Sequence, residues 1–258
     1  MSQITAKQVQ ELRKSTGAGM MDAKKALVAA DGDFEAAVQA LREKGLAKAA
    51  GRTDRENSEG VIAIAQTESS AALVQVKSET DFAAKSEDFV KYAQSLADLV
   101  LESGVEAVNQ KKAELEDLQL VIKENLEVGT VGKVGADSSL VAAYLHGGGR
   151  IGVILEAQDV DKETLHEIAL HCAFGKPKYL SRDEVPEEDI EKERESLLEI
   201  TKAEGKPEQA WDKIVEGRVN SWLAESVLLE QGVFGEKETV TQKIGKGKIT
   251  KMVIATIG

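Results

Sequence analysis

The chain has 258 residues, of which 42% are hydrophobic, so it can bury a substantial core and its length suits two or three modest domains. Its net charge of −12 and pI of about 4.9 argue against binding to phosphate backbones, which depends on Lys and Arg. No segment resembles a membrane helix or a secretory signal. The sequence therefore predicts a cytoplasmic protein whose partner is another protein.

The N-terminal part predicts a three-helix module. Thr5 and Gln8 form a capping box, and Gly17 to Gly19 is a glycine-rich bend that ends the first helix. Apolar residues at helical spacing predict two further helices, over residues 20–30 and 33–44. Residues 48–57 are small, charged and polar, which is typical of a linker.

The remaining chain alternates strand and helix patterns twice. The first set predicts a hairpin, two helices and a strand; the second predicts another hairpin and a helix. These elements span residues 60–65, 71–76, 83–101, 115–122, 126–134, 140–145, 151–155 and 162–174. This repetition, together with a final strand over 250–257, predicts an α+β core.

Two long charged helices are predicted over residues 187–204 and 208–230, on either side of Gly205 to Pro207. Their apolar residues follow seven-residue steps, which favours an antiparallel helical hairpin. These residues are Ile190, Leu197, Val215, Trp222 and Leu229.

The sequence offers little of what an enzyme needs. His166 and His171 lie about 140° apart around a helix, which does not suit a shared metal ion. Gly245 to Lys248 lacks the earlier glycine and the following Ser or Thr of a phosphate loop. The lone Cys172 is expected to be a small buried hydrophobe. We therefore expect no catalytic residue, no cofactor and no metal.

Three segments leave alternatives open when judged from local patterns alone. The loop from His146 to Arg150 is either a phosphate cradle or a flexible hairpin turn. Thr80 or Asp81 is expected to cap a helix, with Phe82 packed inward. Met20 and Met21 are expected to fill a core, although methionine also suits adaptable contact surfaces.

Several of these segments, taken together, resemble the elongation factor Ts family. The block from Thr16 to Asp22 is specific, and the others strengthen it because they occur in the family's order over nearly the whole chain. The segments that carry the resemblance are Glu11–Arg13, Thr16–Asp22, Lys24–Leu27, Gly32–Asp33, Thr80–Phe82, His146–Gly147, Arg150–Val153, Lys176–Pro177, Gly205–Pro207 and Val215–Arg218.

The resemblance implies a fold as well as a family. A ubiquitin-associated-like three-helix domain with its linker would occupy residues 1–52, followed by two related α+β subdomains with small antiparallel sheets. These subdomains would cover residues 53–137 and 138–258, and the helical hairpin would be inserted at about 186–231. Reasoning from the residues alone leads to the same outline.

The resemblance also implies a role and a set of contact residues. The protein would bind elongation factor Tu carrying GDP, loosen the nucleotide and its Mg²⁺, and leave once GTP binds; self-association of the complex is an open alternative. Contacts with the partner are implied for Thr80, Asp81, Phe82 and Ala83 at the Mg²⁺ side, for His146 and Gly147 near the phosphate loop, and for Leu12, Met20 and Met21 in the first domain. Phe82 would then be exposed rather than packed inward.

Two other functions are compatible with parts of the sequence. An adaptor would use Gly17 to Met21 to bind a helical or ubiquitin-like partner and would not affect nucleotide release. A small enzyme would use His146 and Arg150 on a phosphorylated substrate, but the sequence offers no clear acid or base to assist His146. Neither explains the ordered set of segments.

Overall fold

The computed structural model describes residues 4–51, 55–135 and 139–258. Its contacts divide the chain into two compact units. The first unit comprises the residues up to Ala65 together with Val74–Gly132 and Thr256–Gly258, and the second comprises Gln66–Leu73 and Lys133–Ala255. Helices and small sheets occur together, which confirms the α+β class. The predicted domain boundaries at 52/53 and 137/138 lie outside the described residues.

The N-terminal module consists of α1 (Ala6–Thr16), α2 (Met20–Ala29) and α3 (Phe34–Ala50). The Thr5 hydroxyl oxygen accepts a hydrogen bond from the Gln8 backbone N–H, and the Gln8 side-chain oxygen accepts one from the Thr5 N–H, as the capping box predicts. Gly17 ends α1 with a φ of 63°, a left-handed conformation that favours glycine. Helix α3 continues beyond the predicted end at Lys44, so the start of the predicted linker is helical; residues 52–54 of that linker lie outside the described part.

The core of this module is formed by small and medium apolar side chains from all three helices. Residues three or four positions apart, such as Val9 and Leu12 in α1, lie on one face of a helix. The buried members of the core are Val9, Leu12, Ala23, Leu27 and Ala37, with Ile4, Ala26, Ala30, Phe34, Val38 and Leu41 packed against them.

Among the described residues the strands form two three-stranded sheets. The first has the order β1-β2-β3, and helices α4, α5 and α6 lie between β2 and β3 in the sequence. The bounds are β1 (Glu59–Gln66), β2 (Ala71–Ser78), α4 (Asp81–Ala84), α5 (Glu87–Ser103), α6 (Lys112–Ile122) and β3 (Glu127–Val134), with a 3₁₀ segment at Val105–Lys111. The buried face of α5 is apolar except for the hydroxyl of Tyr92, which donates to the Lys111 carbonyl at 3.3 Å.

Helix α6 contacts the N-terminal module through α3. The Arg42 guanidinium lies 3.1 Å from the Asp117 carboxylate. Gly45 lies so close to Leu120 that a Cβ atom there would be 2.5 Å from the Leu120 Cδ2 atom. A glycine therefore permits the close approach of α3 to α6 within the first unit.

The second sheet has the order β4-β5-β6, with β4 (Leu140–His146), β5 (Ile151–Gln158) and β6 (Lys248–Thr256). Strands β4 and β5 are antiparallel and pair from Leu140 with Ala157 to His146 with Ile151. Helix α7 (Lys162–Gly175) packs on these strands. Their shared core includes Val153, Leu155, Leu165, Ile168 and Cys172.

The helical hairpin consists of α8 (Glu187–Ala203) and α9 (Trp211–Ser226), which contact one another as predicted. Ile190, Leu197, Val215 and Trp222 join one apolar cluster. The prediction for Leu229 was wrong: α9 ends at Ser226, a 3₁₀ turn follows at Leu228–Glu230, and Leu229 packs on the core of the second sheet. Helix α10 (Val240–Ile244) is too short to show periodicity and was not predicted.

Within the described ranges, no helix has both the length and the apolar character required to cross a bilayer.

Candidate partner-binding site

The turn from β2 into α5 presents the residues on which the sequence analysis concentrated. Thr80 is the N-cap of α4, with extended backbone angles, and its hydroxyl accepts a hydrogen bond of 3.2 Å from the Ala83 N–H. The Ser78 hydroxyl donates to the Thr80 carbonyl at 3.0 Å, and the Ser86 hydroxyl donates to the Ala83 carbonyl at 2.8 Å. The short helix is thus tied to the chain on both sides.

Phe82 points out of the protein from this anchored turn. Its surface is 84% exposed, whereas the neighbouring alanines, Ala83 and Ala84, are buried. The expectation from local patterns that Phe82 packs inward was therefore wrong, because α4 turns its two alanines toward the protein. A single exposed apolar residue is common on protein surfaces. Here the ring is displayed on a helix whose backbone is held in place.

Asp81 lies beside Phe82 and forms an ion pair with Lys85 one turn later, at 2.6 Å. The hydrogen bond from Lys85 is the main cause that lowers the pKa of Asp81 below its ordinary value. Both side chains are exposed, so the pair contributes little to stability. Asp81 is ionised at neutral pH even at the ordinary pKa of an aspartate, so a carboxylate lies next to the aromatic ring.

Glu124 is a residue of this site that local sequence patterns do not indicate. It follows α6 and reaches the turn before α4, where its carboxylate accepts hydrogen bonds from the backbone N–H groups of Glu79 and Thr80. It also accepts the Thr80 hydroxyl proton at 2.6 Å. A glutamate 44 positions from Thr80 carries no local signal, so only the tertiary structure identifies it.

His146 and Gly147 lie at the β4–β5 hairpin, in the second unit. The three glycines from Gly147 to Gly149 have φ angles of 61°, 67° and 98°, and the Arg150 N–H donates to the His146 carbonyl at 3.1 Å. The loop is therefore a hydrogen-bonded turn whose backbone angles favour glycine, and it joins β4 and β5 as a hairpin.

The His146 side chain is exposed, and a tyrosine on the same face of β4 orients it. The Tyr144 hydroxyl lies 2.9 Å from Nδ1 of His146, and their ring centroids are 5.9 Å apart. Tyr144 also packs edge-on against His166 of α7, at 6.3 Å. The arrangement supplies an oriented imidazole on the surface.

In the N-terminal module the structure separates the three predicted contact residues. Met20 and Met21, at the start of α2, are 50% and 64% exposed, so the expectation that they fill a core was wrong. Leu12 is fully buried in the module's core. Leu12 therefore cannot contact a partner directly in this conformation and instead supports the packing of α1. The same correction applies to Ala83, whose side chain is buried.

His171 and Cys172 of α7 lie in the protein interior. His171 is buried between Gln231 and the backbone N–H of Phe234, at 2.9 and 3.1 Å. Burial raises the pKa of the Cys172 thiol well above its ordinary value, which suits an unreactive core residue. Across residues 4–51, 55–135 and 139–258, no cluster of His, Cys, Asp or Glu has the arrangement of a metal site.

Comparisons with known proteins identify the family of the chain. The family model described as elongation factor TS matches residues 79–258. The elongation factor Ts of Deinococcus radiodurans is 40% identical over 97% of this chain and 98% of its own length. Those of Alkalilimnicola ehrlichii and Lacticaseibacillus casei are each 39% identical, over 99% and 100% of this chain and 92% and 93% of their own lengths. The chain therefore belongs to the elongation factor Ts family of translation elongation factors.

Proposed function

We propose that this protein is a guanine nucleotide exchange factor that binds elongation factor Tu carrying GDP and promotes release of the nucleotide. Membership of the elongation factor Ts family supports the choice of partner. The observation that carries the proposal is the display of Phe82, 84% exposed, on a helix anchored by Thr80. The function is one of binding in the cytoplasm, in which this chain makes and breaks no covalent bond.

In this proposal Asp81 and Phe82 insert against the nucleotide domain of elongation factor Tu and disturb its Mg²⁺ site. An aromatic anchor of this kind is what an interface hot spot requires, because a large apolar surface is buried at little cost in side-chain entropy. His146 and Gly147 act near the phosphate loop of the partner, and Met20 and Met21 dock the N-terminal module. Thr80 positions the helix, while Leu12 and Ala83 support these surfaces from within.

Exchange of this kind is a negative coupling between two ligands of elongation factor Tu. A factor that prefers the nucleotide-free partner weakens GDP binding, and GDP must weaken binding of the factor by the same free energy. A small contact suffices if it stabilises a partner conformation that lacks a good Mg²⁺ site. GTP then completes the cycle by displacing the factor.

The test is the release of a fluorescent GDP from purified elongation factor Tu, in excess unlabelled nucleotide, with and without substoichiometric amounts of this protein. We expect each molecule to accelerate release from many molecules of elongation factor Tu. Without acceleration of a competent elongation factor Tu, the exchange function would be wrong. The adaptor hypothesis, in which the exposed methionines of α2 bind a partner, would then replace it.

A further inference from the structure

Two segments far apart in sequence hold each other beside Phe82. One is the turn between β2 and α4, and the other is the connection between α6 and β3. Oε2 of Glu124 accepts the N–H groups of Glu79 and Thr80 at 3.1 and 3.0 Å, and its Oε1 accepts the Thr80 hydroxyl proton at 2.6 Å. Hydrogen bonds to a charged acceptor are stronger than neutral ones.

A second set of hydrogen bonds joins the same two segments, and here the accepting carboxylate lies on the turn between β2 and α4. Oε1 of Glu79 accepts the Asn125 N–H at 2.6 Å, and the Arg55 guanidinium lies 3.1 Å from the other Glu79 oxygen. The Asn125 side-chain amide donates to the Arg55 carbonyl at 3.1 Å. Each segment therefore supplies a carboxylate that satisfies backbone N–H groups of the other.

This network controls the cap of α4 through one hydroxyl group. The Thr80 hydroxyl has one proton, and its donation to Glu124 directs the oxygen lone pairs toward the Ala83 N–H. A helix of four residues has no stability of its own, so the anchors at its N-terminus determine whether it persists. Phe82 lies two positions after Thr80 and takes its direction from this helix.

We propose that Glu124 is a positioning residue for nucleotide exchange, which acts through Thr80 to hold α4 and so presents Phe82 in one orientation. The inference rests on the proposed function, in which Phe82 inserts against elongation factor Tu. A contact residue held in its bound orientation loses less freedom on binding, which strengthens the interaction. Glu124 itself need not touch the partner.

The first experiment compares Glu124→Ala and Glu124→Gln with the unchanged protein in the GDP-release assay, at factor concentrations below saturation. Glu124→Ala is expected to lower the rate of GDP release about tenfold, since it removes the carboxylate that accepts the N–H and the hydroxyl proton of Thr80. Glu124→Gln is expected to regain most of the rate, because its amide oxygen can accept the two N–H groups and its NH₂ group can donate to the Thr80 oxygen. Glu127→Ala, at an exposed glutamate three positions away, is the control and should match the unchanged protein.

A double-variant comparison separates positioning from a general loss of structure. In the Phe82→Ala background, Glu124→Ala should cause almost no further loss, because both changes remove the same contact. Additive losses would overturn the positioning role. So would a Glu124→Ala variant as fast as the unchanged protein while Phe82→Ala is slow. A Phe82→Ala variant with an undiminished rate would instead contradict the proposed function.

Amide hydrogen exchange provides a measurement that does not depend on activity. Glu124→Ala should accelerate exchange at the Ala83 amide while leaving the buried amides of α5 protected. Unchanged exchange at Ala83 would contradict the inference. If Glu124→Ala fails to fold, Thr80→Val and Thr80→Ser decide in its place. Thr80→Val, which lacks the hydroxyl, should slow GDP release, and Thr80→Ser, which keeps it, should match the unchanged protein. Equal rates for the two variants would refute control through the hydroxyl.

Discussion

At the scale of single residues, Phe82 and Phe89 form a natural comparison. They are the same residue type seven positions apart, but Phe82 is 84% exposed and Phe89 is fully buried in the inward face of α5. Phe82→Ala should slow GDP release from elongation factor Tu by about 2 kcal/mol or more in activation free energy, with a change in stability within about 0.5 kcal/mol. Measurement of release rates and of thermal unfolding tests both statements.

The matched variant Phe89→Ala should mainly lose stability, because this ring is buried. Loss of a buried aromatic side chain costs about 3 to 5 kcal/mol of stability, so this protein should unfold at much lower temperature. An unchanged exchange rate for Phe82→Ala would count against insertion of the ring into the partner. A large loss of stability in that variant would contradict the exposure of Phe82.

A second residue, His171, makes stability depend on pH. Phe234 donates its N–H to Nδ1, so the ring proton lies on Nε2 and points to Gln231. Burial is the main cause that lowers the pKa of His171 from its ordinary 6.5, and the hydrogen bond with Gln231 opposes it. Protonation of Nδ1 would also remove the acceptor of the Phe234 N–H.

The unfolded protein therefore binds this proton more readily than the folded protein. The stabilising contribution of neutral His171 is complete above pH of about 6.5 and is lost progressively as the pH falls below it. The urea midpoint should accordingly fall between about pH 7.5 and about pH 5.5, and the fall should be larger for the unchanged protein than for His171→Asn. An equal fall in the two proteins would show that His171 does not contribute to the acid sensitivity.

The burial or exposure of a side chain could be predicted only where the residue belongs to a long periodic element. Leu12 and Phe89 follow helical spacing over several turns, and their burial could be predicted. Phe82 lies in a helix of four residues, where periodicity cannot distinguish the inner face from the outer one. Met20 and Met21 begin a helix after a glycine bend, and nothing local reveals their exposure. The family resemblance indicated the surface position of all three.

At the scale of elements, the helical hairpin is held together by an apolar cluster and by polar contacts between its two helices. Arg218 pairs with Glu204 at 2.7 Å and donates to the hydroxyl of the buried Thr201 at 3.2 Å. At its base the Lys178 N–H donates to the Ser226 carbonyl at 2.9 Å, and Val185 and Val227, on either side of the hairpin, belong to the same apolar cluster. The two ends of the insertion therefore lie near one another. A short flexible connection could therefore replace it.

We expect the protein to fold without the hairpin. Replacement of residues 186–225 by a short Gly-Ser linker leaves the core of the second sheet intact but exposes Val185 and Val227, whose loss of burial costs about 3 kcal/mol. Urea unfolding should remain a single cooperative transition, with a lower midpoint and a smaller m-value because less surface becomes exposed. Loss of cooperative unfolding would mean that the second core depends on the hairpin.

The sequence predicted the long elements better than the short ones or their ends. Seven-residue spacing placed α8 and α9 against each other correctly, because the pattern persists over many turns. The same spacing extended the predicted helix beyond the true end of α9, because Leu229 continues the spacing but belongs to another cluster. The backbone hydrogen bonds at the base of the hairpin, rather than the apolar spacing, determine where the helix stops.

At the scale of the whole molecule, composition and local patterns established the α+β class and the acidic character, whereas the candidate site depends on long-range contacts. The bonds from Glu124 to Thr80 and from Asn125 to Glu79 connect positions that no local rule relates. Such contacts depend on how α5, α6 and the first sheet pack together in the folded protein. This is why Glu124 could not be identified from the sequence.

Helix α6 links two features of the first unit. Asp117 and Leu120 contact α3 of the N-terminal module, and Glu124, four positions after Leu120, holds the turn that carries Phe82. Each residue added to a helix rotates everything beyond it by about 100° and shifts it by about 1.5 Å. One inserted or deleted residue between Leu120 and the end of α6 at Ile122 would thus put the two contacts out of phase. This stretch is a fixed spacer, in which chain length matters as much as residue identity.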